Sequence, residues 1–178
     1  MKLNGIENGD IQFSGEDTTE PVSVADLKQW LRMRTAITAD DALLESIIKV
    51  ARIQIERYTG LSLISRTVNC WLRNEMNMVE LPFGPVDEIT FLKDNDGNEL
   101  VEDDGYELKG TEFFRIDAPG YHRIEAEYTA GYSTVPENLI TAIKRQAAWI
   151  YEHRGDERES KLDPLLAVEL KAVRRAWV

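Results

Sequence analysis

Glu125 and Glu127 stand two residues apart in the segment RIEAEYTA (123–130). In an extended strand, side chains at i and i+2 share a face, so the pair could work as general acid and base. A few residues on, GYSTVPENL (131–139) places Ser133 near Glu137, a hydroxyl and a carboxylate that could begin a nucleophilic site. DNDGNE (94–99) alternates Asp94, Asp96 and Asn98 in the manner of a calcium loop. Each constellation has a plainer explanation. A calcium loop of the EF-hand kind needs Gly sixth and Glu twelfth, whereas here Gly97 falls fourth and Gly105 twelfth. Strand-like flanks make it a hairpin turn. Ser133 has no histidine near it in sequence, and Thr134, Pro136 and Glu137 are accounted for by the start of a helix. The turn is therefore expected to be a joint between strand and helix. In a chain with 32 acidic residues, the Glu125/Glu127 pair is expected to be a water-facing or lumen-facing sheet surface.

Metal and redox chemistry find no support either. His122 and His153 are the two histidines, and neither has a second His or Cys at ligand spacing. The single cysteine, Cys70, lies in TVNCWL and is expected to be a small buried hydrophobe. No Gly-rich phosphate loop or G-x-S-x-G elbow occurs. No metal and no cofactor is expected.

The elements around these residues change period along the chain. Residues 1–20 hold five acids against Lys2 alone and read as a flexible arm. Helices are predicted over about 23–33, 38–59, 135–153 and 164–177. Their starts carry the pairs Ser23/Asp26, Thr38/Asp41 and Thr134/Glu137 and the Asp163-Pro164 step. Leu44, Ile47, Ile48, Ala51, Ile55 and Tyr58 line one face of the second helix, and Gly60 stops it. Its other face, with Glu45, Lys49, Arg52 and Glu56, reads as solvated or subunit-facing. Between the helical pairs, about 62–130 is rich in β-branched and aromatic residues with turns at PFGP, DNDG, DDG and APG. Strands are predicted at 67–73, 78–81, 86–93, 106–109, 113–116 and 123–129. The expected fold is α+β, mainly α: a four-helix bundle, two helices at each end of the chain, with an antiparallel β insertion between the second and third. Residues 21–178 are expected to be a single domain, for which 178 residues suffice.

The net charge of −11 argues against nucleic-acid binding, which needs clustered Lys and Arg. It suits a wall past which DNA moves without sticking. No run of about 18 apolar residues occurs, so no membrane span is expected. The opening MKLNGIENGD lacks an apolar signal core, so secretion is not expected.

Three segments carry a family resemblance: VADLKQWLRM with DDALLESIIKVARIQIERYTG, then LPFGPVDEITFLKDNDG, then YTAGYSTVPENLITAIKRQAAWIYEHR. Together they cover most of 24–154, and in this order they resemble the head–tail connector proteins of tailed phages and prophages, also called adaptor or head-completion proteins. The resemblance implies a structural virion protein, assembled in the bacterial host cytoplasm, and no catalysis. It implies a homo-oligomeric ring of twelvefold symmetry below the portal protein, supporting the next connector or tail component. Lys171, Arg174, Arg175 and Trp177 near the C-terminus are then candidates for docking a partner, since Arg and Trp are favoured interface anchors. Glu125, Glu127, Glu45, Arg52 and Glu56 are candidates for a lumen-facing or subunit-facing surface. The alternatives are a tail-completion or other virion interaction module and, behind it, a small hydrolase.

Overall fold

A computed structural model describes residues 11–15, 19–74, 77–111, 113–156 and 161–173. The chain divides into two compact units, a β unit holding Ile64–Ser133 and a helical unit built from Thr18–Leu63 and Thr134–Arg175.

The helical unit contains α1 (Val24–Trp30), α2 (Asp41–Thr59), α3 (Glu137–Glu152) and α4 (Pro164–Leu170). Helices from the front and rear of the chain share this one unit: α2 packs on α3, α1 touches both, and α4 lies on α3. Leu44, Ile47, Ile48, Ala51 and Ile55 of α2 and Leu139, Ile143, Ala147 and Ile150 of α3 are buried, as the helical spacing requires. Ser23 and Asp26 form a reciprocal capping box, and buried Val22 and Leu27 occupy the staple positions. Gly60 closes α2 in the left-handed conformation. Asp163 caps α4 by accepting from the Leu165 N–H, with Pro164 following. Two predicted caps are absent: α2 starts behind Asp40 and α3 behind Pro136, neither with a side-chain cap bond.

The β unit has β1 (Ile11–Ser14), β2 (Arg66–Arg73), β3 (Met78–Glu80), β4 (Val86–Lys93), β5 (Glu107–Lys109), β6 (Arg115–Asp117) and β7 (Arg123–Ala130). A four-stranded sheet runs β1-β2-β7-β4 and a three-stranded sheet runs β3-β6-β5, with every strand pair antiparallel. Alternation decides the faces. Val68, Cys70 and Leu72 of β2 and Ile124, Ala126 and Tyr128 of β7 point inward, where they share one core with Val79 and Ile116 of the smaller sheet and Leu81 just past β3. The Tyr128 hydroxyl donates to the Pro82 carbonyl inside this core.

The four-helix bundle with a β insertion is therefore corrected. Among the described residues, seven strands in two sheets enclose a core of their own, and α1 and α4 have only seven residues each, too short to stand as bundle members. α1 stops early because Arg32 takes a left-handed φ of 56°. Met33 N–H then bonds to the Lys28 carbonyl and Arg32 N–H to the Gln29 carbonyl, a Schellman stop built without glycine. After Leu170 the chain tightens into i→i+3 turns through Val173. Within the acidic arm, Ile11–Ser14 form a strand that pairs with β2 in the register Ile11↔Cys70 to Ser14↔Thr67. Arg66 of β2 lies over the rings of Phe13 and Phe83, at 4.2 and 5.3 Å, which fastens this edge strand.

Candidate interaction surfaces

Cross-strand register places Glu125 and Glu127 on the face of the larger sheet opposite the core. Trp71 and Lys93 flank Glu125, while Asn69 and Phe91 flank Glu127. The Asn69 amide nitrogen stands between the two carboxylates, 3.3 Å from Glu125 Oε1 and 3.4 Å from Glu127 Oε2. Arg123 lies over the Trp71 ring at 4.6 Å, and Lys93 over the Phe91 ring at 3.9 Å. The face is thus a band of acids between two aromatic–cation pairs, all half-buried except the exposed Arg123. An acid–base pair needs a water-excluding cleft with converging groups. A cleft of the β unit is lined elsewhere, by residues between Asp103 and Tyr121, and contains neither glutamate. Ser133 is exposed.

The joint before Ser133 is structural. Gly131 has φ 146°, its N–H donates to the Pro85 carbonyl, and a Cβ there would sit 2.5 Å from the Ile64 carbonyl oxygen. The Asp94 turn is closed by its own carboxylate. Oδ1 accepts from the Asp96 and Asn98 N–H groups and Oδ2 from the Asn98 amide. Its pKa is lowered first by the Asn98 side chain and then by backbone donors. Among the described residues no group of three His, Cys, Asp or Glu side chains could hold a metal. Cys70 is buried, His122 is exposed, and His153 stacks on Trp149 with centroids 4.0 Å apart.

On the helical unit, Glu45 is exposed, but Arg52 and Glu56 are not a surface. Both are about 98% buried, at 1% and 2% exposure. Arg52 grips both Glu20 oxygens, at 2.8 and 3.1 Å, and donates from Nη1 to Glu56 at 2.9 Å. The other Glu56 oxygen accepts from the Leu63 N–H at 2.7 Å. A helical wheel puts these residues on the polar face. Burial comes from Glu20 and Leu63, at the two ends of the front segment, which fold over that face. Lys171 is exposed just past α4, and Arg174, Arg175 and Trp177 lie outside the described residues. α4 itself is fastened by Arg145, which pairs with Asp163 and Glu169 at 2.8 Å each. Those carboxylates, Glu169 foremost, raise the Arg145 pKa.

Sequence periodicity missed the segment between α1 and α2. Lys28 is 2% exposed, and its ammonium donates to the Thr35 and Ile37 carbonyls at 3.3 and 2.6 Å while pairing with Asp41 at 2.5 Å. Around this buried charge the chain turns outward, exposing Trp30 and Ile37. The available signal was a lysine set directly beside Leu27 on an apolar stripe.

Residues 21–101, from before α1 through β4, match the family of phage gp6-like head-tail connector proteins. No curated protein matches the chain. Solved structures resemble it over nearly its whole length. A chain of the neck of an empty gene transfer agent particle, computed with C6 symmetry, is 28% identical with a TM-score of 0.69, covering 93% of this chain and 96% of its own. A chain of the native gene transfer agent virion is 29% identical, TM-score 0.68, covering 93% and 95%. A neck chain of the native particle computed with C12 symmetry is 26% identical, TM-score 0.61, covering 91% and 94%. This chain is a structural head–tail connector protein. The connector is not an enzyme. No helix among the connector's described residues is long and apolar enough to cross a membrane.

Proposed function

We propose that the connector works as one member of a closed ring, twelvefold when assembled, seated below the portal of a virion neck. It gives the next connector or tail component a platform. The observation that carries this reading is whole-chain similarity to neck proteins, 28% identity over 93% of the chain, where the related particles are assemblies treated with C6 or C12 symmetry. A ring requires a heterologous contact, one patch on each side of a subunit. With a net charge of −11, a channel built from this chain repels DNA phosphates and lets DNA pass. In this reading residues 21–178 are the connector domain, assembled in the host cytoplasm. The sheet face with Glu125 and Glu127, and Glu45 on α2, face the lumen or a neighbour. The C-terminal segment with Lys171, Arg174, Arg175 and Trp177 docks a partner. Negative-stain microscopy of the protein mixed with its own portal tests the proposal. Rings capping the portal are expected, and a protein that never joins portal assemblies refutes it.

A further inference from the structure

The segment between α1 and α2 is a protrusion whose shape is fixed from within by buried Lys28 and its bonds to Thr35, Ile37 and Asp41. Trp30, which ends α1, and Ile37 on the segment are 47% and 51% exposed, and Arg32 and Arg34 are exposed beside them. Neither arginine side chain has a partner among the described residues. Trp and Arg on a rigid support are the residue types that anchor protein interfaces, because little conformational entropy is lost on docking. In a chain of net charge −11 this protrusion has the opposite sign to the average surface, so it suits an acidic recess.

The β unit contains such a recess, a cleft of about 500 Å³ lined in part by Asp103, Asp104, Tyr106, Glu107, Asp117 and Tyr121. Asp117 is already paired with Lys109 at 2.6 Å, while Asp103 and Asp104 are exposed with no side-chain partner among the described residues. The cleft is therefore both aromatic and acidic. Tyrosine faces accept a stacked guanidinium, and carboxylates accept its fork. Burial and then the charges of Glu102 and Glu99 push the Tyr106 phenol up, as expected where the local potential is negative.

We propose that the protrusion of one copy, through Trp30, Arg32 and Arg34, seats in the Asp103–Tyr106 cleft of the next copy, as a head-to-tail contact of the ring. The two patches differ, lie on the same chain and complement each other in charge, as a heterologous interface requires. The contact rests on the ring reading above, and the two fail separately. The experiment reverses each patch: Arg32→Glu/Arg34→Glu in one variant, Asp104→Lys/Glu107→Lys in another. Asp103 is left alone because its φ of 67° suits Asp better than Lys, whereas Arg32→Glu, at φ 56°, exchanges one ordinary side chain for another. All four positions are exposed, so unchanged circular dichroism and melting are expected.

Sedimentation velocity at the highest attainable concentration reads self-association. Each variant alone should associate at least about tenfold more weakly than the parent, since like charges then face each other. An equimolar mixture of the two, and the variant carrying all four changes, should recover association. Failure of both to exceed the single variants overturns the contact, as does undiminished association of either variant alone. Imaging the same proteins with portal separates the readings. Rings that form regardless of these charges leave the ring standing and overturn this contact, whereas no ring from the parent overturns the ring itself.

Discussion

Arg52→Met is the sharpest test of how the helical unit is held. The side chain is 1% exposed and makes bonds to Glu20 and Glu56, while Glu56 also accepts from the Leu63 N–H. Methionine keeps much of the volume, so little cavity is created, and the loss is electrostatic. Glu20, 24% exposed, can turn to water, but Glu56, 3% exposed, is left charged and nearly dry. Stranding one member of a buried ion pair costs about 3–5 kcal/mol, a large part of the roughly 5–15 kcal/mol that holds a domain together. Adding Glu56→Gln removes the stranded charge while keeping an acceptor for Leu63, so the double variant should recover about 1–2 kcal/mol of that loss. Urea unfolding followed by far-ultraviolet circular dichroism measures each term. A loss below about 1 kcal/mol for Arg52→Met, or strictly additive losses in the double variant, would refute the idea that the three charges act as one buried unit.

Gly131→Ala should destabilise by about 2–4 kcal/mol, because the position combines positive φ with a backbone approach; a melting temperature within a degree of the parent would contradict this. Tyr128→Phe should cost about 1–2 kcal/mol in urea unfolding by leaving the buried Pro82 carbonyl without this donor. A lowered folded pKa means that the Asp94 carboxylate stabilises its turn above the unfolded value near 3.8, and that the gain disappears as pH falls through the folded value. Carbon-detected NMR titration should place its midpoint below 3.8, and Asn98→Ala should move it back up; no movement would remove Asn98 as the main cause.

Local signals made most of the β unit legible. The strand predicted at 86–93 occupies Val86–Lys93, and 123–129 extends by one residue to Ala130, because alternation of apolar and polar residues is a property of the strand itself. Glu125 and Glu127 share a face for the same reason. β1 escaped because IQFS is only four residues long and gains its order from Arg66, more than fifty positions away. Arg52 and Glu56 were misread because a wheel shows which side of a helix is polar, not what covers it. The end of α1 was hidden because an arginine, not a glycine, takes the left-handed position. Front and rear helices share one unit, but the number and length of helices needed for a bundle were not available from periodicity, which read α1 and α4 as longer than they are.

Arg66 at the start of β2 pairs with Ala130 at the end of β7, so one sheet holds together the two places where the chain leaves and re-enters the helical unit. During translation α2 emerges long before α3, and its apolar stripe has no covering helix until the ribosome has delivered everything through the β strands. Closing a loop of that size without the sheet would carry a large entropic penalty; with it, only short tethers remain to be closed. The strands can therefore act as a clasp, and a lesion in β2 or β7 is expected to leave the apolar stripe of the nascent front helix uncovered for longer and open to chaperones.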